Sequence, residues 1–482
     1  MHKKKRGKDL ECKGKPAAQA FRTILDFKCG TSLSNPENLK ITRELFSFSV
    51  MSARGPAIIR NINRFDVLQM IRLHDNQISR SELAERTGLS QATISSIVGH
   101  LIEEGALIED DARGLAAKGR GRPLVMLRLN PEYTHVVGVK IATHRIDFSV
   151  TDFVGNVAAS DNIPADALKL TPAQLITFVV RGVRACLKKA GKTIGDVSGI
   201  GVGLPGFIDS RRGIAFWSPV FANPGVNFRE LLQMKFAIPV FVENDANLIT
   251  LAEHWFGMAK GLENAVVITA RIEHGNGSGF IFNGKLYRGA QGLAAEFGHT
   301  KLVFDGPLCQ CGERGCMETH TAAFAIIHEA AKAGFRVPKR PLDYNERSLL
   351  IHAIVAKAEA GDKSMKRVFE QMGRYLGLGI ANLVNLLNPQ RVVICQGSIR
   401  CAHLFEESLR SVAEQMVIPP LKKDLEIVIH YWGDEVWARG AASLVLLELD
   451  QRGRSEMPKG SSVSSRPTAR NGKFHAVNAS ST

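Results

Sequence analysis

Hydrophobic residues recur along the chain with two different periods, which predict two folded units between less regular ends. From 57 to 130 the spacing is mostly helical, whereas from 133 to 449 short apolar strands alternate with helical segments. Residues 1–56 and 450–482 show no sustained period and are expected to be disordered extensions. The folded pattern first becomes recognisable near Met51, which leaves open a translation start at that residue.

The first unit predicts helices joined by tight turns. A helix over about 61–74 is followed by SRSELAERTG, in which Ser79 and Glu82 are spaced as a capping box and Gly88 stands where a helix should end. The apolar face of the first helix comprises Phe65, Leu68 and Ile71. Ser90 is a good N-cap for a further helix that ends near Gly105. This order of elements predicts a helix-turn-helix.

The helix after Ser90 separates apolar from small polar positions. Its apolar stripe comprises Ile94, Val98, Leu101 and Ile102. Small polar residues occupy the N-terminal part away from that stripe: Gln91, Thr93, Ser95 and Ser96. Short side chains let such a helix approach base edges and phosphates closely, so we interpret these four residues as a DNA-binding surface.

Two strand-like segments, ALIED and PLVMLRLN, flank the loop DARGLAAKGRGR, which predicts a wing. Residues 112–122 contain Arg113, Lys118, Arg120 and Arg122 and no acidic residue. The neighbouring glycines allow close approach of the backbone to DNA, so Arg120 or Arg122 is expected to enter a minor groove. The alternative is a solvated loop on a small helical domain, but spacing, caps and basic loop agree on a winged helix-turn-helix domain over 57–130.

The second unit contains two similar segments, VVGVKIATHRIDFSVTDFVGNVAAS and AVVITARIEHGNGSGFIFNGKLYRG, each typical of three strands joined by turns. With helices such as 172–190 and 365–387, they predict a duplicated, two-lobed α/β architecture over 133–449. The glycines of HGNGSG (Gly275, Gly277 and Gly279) suit either a phosphate cradle or a tight hairpin.

The net charge of +15 suggests a polyanionic partner. Residues 1–15 carry seven Lys/Arg against two acids and residues 451–482 carry six against one, so the two ends supply about ten of these charges. No apolar run is long enough to span a bilayer, and no apolar segment follows the basic N-terminus as in a secretory signal. The cysteine pattern fits a reducing compartment, so we expect a cytoplasmic location without a membrane partner.

His299, Cys309, Cys311 and Cys316 lie within eighteen residues, in GHTKLVFDGPLCQCGERGC. Three thiolates and one imidazole complete a tetrahedral Zn²⁺ shell with no open position, which is typical of a structural metal. Gly312 lets the loop turn around the ion. The alternative is a set of reduced cysteines beside a loop histidine, but such clustering is improbable by chance.

Carboxylates and amides follow several apolar strands, where they suit the hydroxyl groups of a polyol. VGLPGFID, VENDANLITLAEHWFG, LAAEFGH and GCMETH supply these groups. Asp245 is also a candidate general base towards a sugar hydroxyl. Each group alone is more often a helix cap or turn residue, so the prediction depends on the set.

From about Asn61 to Leu449 the chain resembles the ROK family of transcriptional repressors and sugar kinases. VENDANLITLAEHWFG, GNGSGFIFNGKLYRGAQGLAAEFGHTKL and CQCGERGCMET carry the resemblance. It implies an actin-like ATPase (ribonuclease H-like, duplicated) fold with a sugar between the lobes. The sugar-binding residues that it implies are Asn244, Asp245, Glu296, His299 and Glu318. It also implies zinc on His299, Cys309, Cys311 and Cys316, with His299 facing both metal and sugar.

The chain departs from the family pattern on the nucleotide side. Where ROK kinases resemble DxGGT, this chain has Lys140, Ala142, Thr143 and His144, so the close backbone approach that glycine permits is lost. A second family glycine pair is altered to Cys395-Gln396-Gly397. The sugar side is intact, which predicts a sensor without catalytic turnover.

These features predict a sugar-responsive DNA-binding regulator, a repressor of carbohydrate-uptake or catabolic genes, released when a sugar or sugar phosphate enters the cleft. The alternative is a ROK sugar kinase with Asp245 as general base. Recognition of palindromic operators by helix-turn-helix proteins favours a homodimer or a higher homo-oligomer.

Overall fold

A computed structural model describes residues 56–111, 125–271, 275–397, 399–433 and 435–452. The chain divides into a unit of residues 1–62 and a unit of residues 63–482, and all contacts below lie within the second unit. The predicted wing loop, with Arg113, Lys118, Arg120 and Arg122, lies outside the described residues.

The described helices and strands alternate over most of the chain, and none of these helices is both long and apolar enough to cross a membrane. The helices are α1 (Pro56–Leu73), α2 (Arg80–Thr87), α3 (Gln91–Glu103), α4 (Pro172–Lys189), α5 (Phe228–Gln233), α6 (Asp245–Phe256), α7 (Glu318–Thr321), α8 (Ala323–Lys332), α9 (Tyr344–Glu359), α10 (Lys363–Leu387), α11 (Glu406–Met416), α12 (Pro419–Lys422) and α13 (Glu435–Arg452). The strands are β1 (Ile78–Ser79), β2 (Leu107–Asp111), β3 (Val125–Leu129), β4 (His135–Ile141), β5 (Arg145–Asp152), β6 (Val157–Pro164), β7 (Val197–Leu204), β8 (Phe207–Asp209), β9 (Ile214–Trp217), β10 (Val226–Asn227), β11 (Val240–Asn244), β12 (Ala265–Arg271), β13 (Gly275–Phe282), β14 (Lys285–Tyr287), β15 (Arg391–Gln396) and β16 (Glu426–Tyr431).

The N-terminal domain forms the predicted helix-turn-helix, and its local signals act as expected. The Ser79 side chain accepts a hydrogen bond from the backbone N–H of Glu82, and Gly88 ends α2 with a φ of 69°. Ser90 caps α3 in the same way, through the N–H of Thr93. Strand β3 pairs antiparallel with both β1 and β2 in a three-stranded sheet, so the two strands predicted to flank the wing, β2 and β3, are present.

The two lobes repeat one topology. In the first lobe β4, β5 and β6 form an antiparallel meander, and β7 and β11 add parallel to β4. In the second lobe β12, β13 and β14 form the same meander, and β15 and β16 add parallel to β12. The predicted duplicated, two-lobed α/β fold is therefore confirmed.

Helix α6 is buried along its length, because residues 246–255 are all shielded from solvent. It packs against β13, where a Cβ atom on Gly277 would strike Ala246 and one on Gly279 would strike Thr250. The glycines of HGNGSG thus lie in a strand that accommodates a helix, and Gly275 and Gly277 also line the cleft described below. The hairpin interpretation holds for the antiparallel pairing of β12 with β13.

Candidate functional site

A cleft of about 320 Å³ lies between the two lobes. Strand ends and helix starts from both lobes line it, because the carboxyl ends of parallel strands meet at the same edge of each sheet. Its lining includes Lys140, Thr143 and Asp245 from the first lobe. Thr269 and Glu318 contribute from the second lobe. Polar groups of opposite lobes therefore face one volume of a size that suits a small ligand.

Asp245 and Glu318 line this cleft, and with Glu296, whose pKa both of them affect, they form what is here called its carboxylate end. Asp245 is the first residue of α6, Glu318 is the first residue of α7, and Glu296 immediately precedes the short helical turn Phe297–His299. Burial, together with the negative charges of Asp245 and Glu318, raises the pKa of Glu296 to about 7. Burial also raises the pKa of Glu318. Hydroxyl donors of a polyol would relieve the poor solvation of these oxygens.

Asn244 has a supporting place beside the carboxylates. Its side-chain oxygen accepts hydrogen bonds from the N–H groups of Ala246 (2.8 Å) and Asn247 (3.3 Å), as the N-cap of α6. Its amide nitrogen donates to the carbonyl of Gly206 at 2.8 Å. The side chain thereby fixes the start of α6, and with it Asp245, against the Pro205–Gly206 turn. Its predicted direct contact with sugar stays a prediction.

Glu318 is held between the second-lobe sheet and the cysteine loop. The backbone N–H of Asn276 donates to its carboxylate, and the Cys309 thiol lies 3.7 Å from Oε2. The Glu318 carboxylate occupies the space that a Cβ on Gly275 would need, and Gly275 has a φ of 92°. Glycine is therefore required here both for space and for backbone conformation.

The predicted metal ligands come together. One ligand atom from each of His299, Cys309, Cys311 and Cys316 lies within 4.8 Å of all the others. The sulfurs of Cys311 and Cys316 are 3.7 Å apart, as are the Cys309 sulfur and His299 Nδ1. Thiolates that share a tetrahedral zinc ion at about 2.3 Å lie about 3.8 Å from each other. The donor set and its spacing thus fit a metal ion.

The metal cluster adjoins the cleft through two residues. His299 points Nδ1 towards Cys309, and burial lowers its pKa, which favours the neutral imidazole that a metal requires. Glu318 follows Cys316 by two positions and contacts Cys309. Gly315, with a φ of 72°, allows the loop to close on itself near Val303.

A second group of residues lines the same cleft and is here called its nucleotide end: Lys140, Trp437 and Tyr344. Lys140 is buried, and its ammonium lies 3.7 Å from the centre of the Trp437 ring. The His144 ring stacks on Tyr344 with centroids 4.1 Å apart. Gln396 is buried and donates to the carbonyl of Ala270 at 3.2 Å. Lys140 and His144, which stand in the stretch where the resemblance implies glycines around phosphates, are thus each paired with an aromatic ring.

The structure adds an ion pair that the sequence did not indicate. Glu243 is fully buried and pairs with Arg288 of the second lobe at 2.6 Å. Its other oxygen accepts from the backbone N–H of Asn244 and from the side chain of Asn247, both at 3.0 Å. Glu243 directly precedes Asn244, so the sequence places it beside the predicted site. Its partner Arg288 is 45 residues away in the chain, and no local pattern connects the two.

The predicted DNA-binding side chains lie on the outer part of α3. Gln91, Ser95 and Ser96 are exposed, whereas Thr93 is half-buried and its hydroxyl lies 2.8 Å from that of Ser90. Ile94, Val98 and Leu101 are buried on the opposite face, and Ile102 is half-buried. The helix therefore presents a polar edge to solvent, as a recognition helix requires.

Comparison with known proteins matches residues 136–448 to the ROK family and residues 60–108 to a winged helix-turn-helix DNA-binding domain. The chain is 30% identical over 400 residues to the xylose repressor of Caldicellulosiruptor bescii, covering 81% of this chain and 97% of that protein. It is 27% identical over 374 residues to the DNA-binding transcriptional dual regulator NagC of Escherichia coli (strain K12), covering 77% and 89%. A crystal structure of a ROK family transcriptional regulator, described as a homologue of the E. coli MLC protein, matches with a TM-score of 0.67 and 25% identity, covering 82% of this chain and 98% of that one.

Proposed function

The chain belongs to the ROK family, and we propose that it is a DNA-binding transcriptional regulator without sugar kinase activity, whose effector is a sugar or sugar phosphate bound between the lobes. The contrast between the two ends of the cleft carries this proposal. The carboxylate end and the candidate metal cluster next to it are present, whereas at the nucleotide end Lys140 is paired with Trp437 and Tyr344 with His144. Such a cleft can bind a sugar without bringing ATP phosphates to it.

Asp245, Glu296 and Glu318 accept hydrogen bonds from sugar hydroxyls in this proposal. Charged acceptors in a partly closed cleft bind hydroxyl groups more strongly than neutral ones do, and their fixed positions discriminate between epimers. Asn244 positions Asp245 through the helix cap and is expected to reach a hydroxyl itself. His299 adds a donor or acceptor from the ring nitrogen that does not face the cysteines.

The proposed metal is one structural Zn²⁺ per chain, held by His299, Cys309, Cys311 and Cys316. Three soft sulfur ligands and an imidazole favour zinc over the oxygen-seeking cations. A closed shell has no position for substrate, so the ion would fix the loop. Because His299 is a ligand and Glu318 contacts Cys309, the metal keeps this wall of the cleft rigid.

On the DNA side, α3 is the recognition helix of this proposal. Gln91, Thr93, Ser95 and Ser96 read base edges in the major groove, and Arg120 and Arg122 of the predicted wing contact phosphates or the minor groove. A homodimer would match a palindromic operator with half-sites one helical turn apart.

The proposed response is release from DNA. A sugar that contacts both lobes favours the arrangement in which its ligands lie closest, and it shifts the equilibrium by its differential affinity for the two arrangements. The coupling free energy between the two binding sites is reciprocal. Operator DNA should therefore weaken sugar binding by the same factor by which sugar weakens DNA binding. Tighter sugar binding in the presence of DNA would instead identify a sugar-activated regulator.

The alternative of a ROK kinase rests on Asp245, which is placed at a helix start where it could deprotonate a hydroxyl. Against it stand Lys140 on Trp437 and His144 on Tyr344, which occupy the nucleotide end. Relatives over most of the chain are named as repressors or regulators, and these include the winged domain in their alignment with this chain.

The test is a thermal-shift screen against D-xylose, D-glucose, N-acetyl-D-glucosamine and their phosphate esters, followed by calorimetry. A ligand that binds only the folded chain raises its melting temperature. We expect one sugar class to stabilise the wild type and to do so much less in Asp245→Asn, with no sugar-dependent ATP hydrolysis. ATP turnover that disappears in Asp245→Asn would favour the kinase, and absence of any sugar binding would refute the effector site.

A further inference from the structure

One helix joins the carboxylate end of the cleft to the winged helix-turn-helix domain. Helix α6 begins at Asp245 and reaches Trp255 ten residues later, a rise of about 15 Å at about 1.5 Å per residue. Its start is fixed by Asn244, and its whole middle is buried between the lobes. A buried helix transmits displacement along its axis because close-packed interiors deform little.

The far end of α6 meets Arg72, which lies in the last turn of α1 in the N-terminal domain. The Arg72 guanidinium lies 4.7 Å from the ring centre of Phe153 and 4.9 Å from that of Trp255. Phe153 follows β5 of the first lobe, whereas Trp255 belongs to α6. Arg72 is only 7% exposed, so its cation is held by both rings away from solvent. Cation–π attraction strengthens in such desolvated settings.

A third contact fixes α6 to the second lobe close to Trp255. Glu253 is fully buried, and one of its oxygens lies 3.0 Å from the Cys395 thiol and 2.7 Å from His430 Nδ1. Trp432 donates to the same oxygen at 2.5 Å. Cys395 and His430 are neighbours on β15 and β16. Movement of the second lobe relative to the first is therefore applied to α6 directly beside the Arg72 contact.

We propose that Arg72 is the residue through which α6 reports occupancy of the cleft to the DNA-binding domain. The cation bridges a ring of the first lobe and a ring of α6, so a shift of α6 relative to Phe153 changes both contacts and reorients α1. This inference rests on the proposed function, since it takes a sugar between the lobes as the signal. In this inference Arg72 is a positioning residue that contacts neither sugar nor DNA.

A second contact between the domains provides a matched control. Asp75 pairs with Lys260, just beyond the end of α6, but the Asp75 side chain is 92% exposed. Exposed ion pairs contribute little and are screened by salt. If any contact across this boundary sufficed for coupling, Asp75→Asn and Arg72→Met would have similar effects; the inference requires them to differ.

The experiment measures DNA affinity with and without sugar in wild type, Arg72→Met, Arg72→Lys, Trp255→Phe and Asp75→Asn. The DNA is a duplex selected by the wild-type chain from a random-sequence library, and the sugars are D-xylose and N-acetyl-D-glucosamine, whose own binding is measured by calorimetry. We expect sugar to weaken DNA binding at least about fivefold in wild type and in Asp75→Asn. Arg72→Met should bind sugar and DNA separately yet show no change of DNA affinity with sugar. Arg72→Lys should retain part of the response, because an ammonium also binds an aromatic face.

A full sugar response in Arg72→Met would overturn the inference. Should that variant fail to fold, Trp255→Phe decides, since it keeps a ring with a weaker π face: a reduced response supports the inference and an undiminished one overturns it. A wild-type chain that binds sugar without any change in DNA affinity also overturns it, while leaving the sugar site intact. A wild-type chain that binds neither these two sugars nor any other sugar or phosphate ester of the thermal-shift screen refutes the proposed function, and the inference with it.

Discussion

The two ends of the interlobe cleft differ in what holds their side chains. At the carboxylate end, burial of Glu296 and its repulsion by Asp245 and Glu318 together raise the pKa of Glu296 to about 7. At the other end Lys140 rests on Trp437 and His144 on Tyr344, in contacts that satisfy one another. Like charges that a fold holds close together at an energetic cost indicate a ligand-binding site, whereas side chains that make favourable contacts with each other indicate a structural role.

This difference explains how a fold shared with kinases can serve a regulator. Sugar recognition needs only hydrogen-bond acceptors in fixed positions. The carboxylates at the helix starts would be these acceptors, and the candidate metal cluster would help to fix them. Phosphoryl transfer also needs a backbone that approaches the nucleotide phosphates closely, which Ala142 and Thr143 no longer provide as glycines would. Substitutions at the two ends should therefore have different consequences.

The largest effect is expected from removal of the metal. Cys311→Ser should lose the ion, because three remaining ligands bind it far more weakly, and lower the free energy of unfolding by on the order of 5 kcal/mol. Sugar-induced stabilisation should disappear as well, since His299 and Glu318 lose their support. Elemental analysis and thermal unfolding measure both. Cys186→Ser, a buried cysteine on α4, is the control and should keep the metal; a Cys311→Ser protein with metal and sugar affinity intact would contradict the structural role.

Next in size is the effect of Asp245→Asn on sugar affinity. The amide keeps the shape but loses a charged acceptor, so we expect the dissociation constant to rise about 10- to 100-fold. Isothermal titration calorimetry measures it. Asp424→Asn, on an exposed part of the second lobe, should bind sugar like wild type. Unchanged affinity in Asp245→Asn would place the sugar elsewhere.

A smaller effect should appear in the pH dependence of stability. The folded pKa of Glu296 is raised to about 7 from 4.5, so the folded chain keeps a proton that the unfolded chain releases over this interval. The contribution of Glu296 to stability therefore falls as pH rises from about 4.5 to 7. Glu296→Gln should be more stable than wild type at pH 8 by up to about 3 kcal/mol and similar to it below the unfolded pKa. Denaturant unfolding of both proteins at pH 8 and below pH 4.5 measures this difference. If the stability difference between wild type and Glu296→Gln is the same at both pH values, the Glu296 carboxylate is not destabilised in the folded chain.

The smallest effect is predicted at the nucleotide end. Lys140→Met removes the cation from Trp437 while keeping an apolar chain of similar length, so stability should fall by about 1 kcal/mol. Sugar affinity should not change, and ATP should still fail to bind. Calorimetry with sugar and with ATP tests both points. A loss of sugar affinity as large as that of Asp245→Asn would show that the two ends act as one site.

The sequence by itself determined the features whose causes are local. Ser79, Gly88 and Ser90 place the helix boundaries of the DNA-binding domain because caps act within one turn of the helix. His299, Cys309, Cys311 and Cys316 could be recognised as a candidate metal cluster because they lie within eighteen residues of the chain. The repeated strand pattern predicted two similar lobes, since each meander is built from neighbours in the chain. Even so, α1 begins at Pro56 and α13 ends at Arg452, slightly outside the predicted bounds.

Tertiary structure decided which distant groups meet. Asp245 and Glu318 line one cleft although they come from different lobes, Glu243 of the first lobe pairs with Arg288 of the second, and Arg72 lies against the rings of Phe153 and Trp255. The role of the glycines in β13 also depends on tertiary structure. Only the packing of α6 against this strand shows that a side chain at Gly277 or Gly279 would collide with the helix. Residue types and their spacing do not predict such contacts, because the residues are far apart in the chain. The contacts form only when the two lobes pack around one helix. That packing is stabilised by the burial of apolar surface over the whole chain.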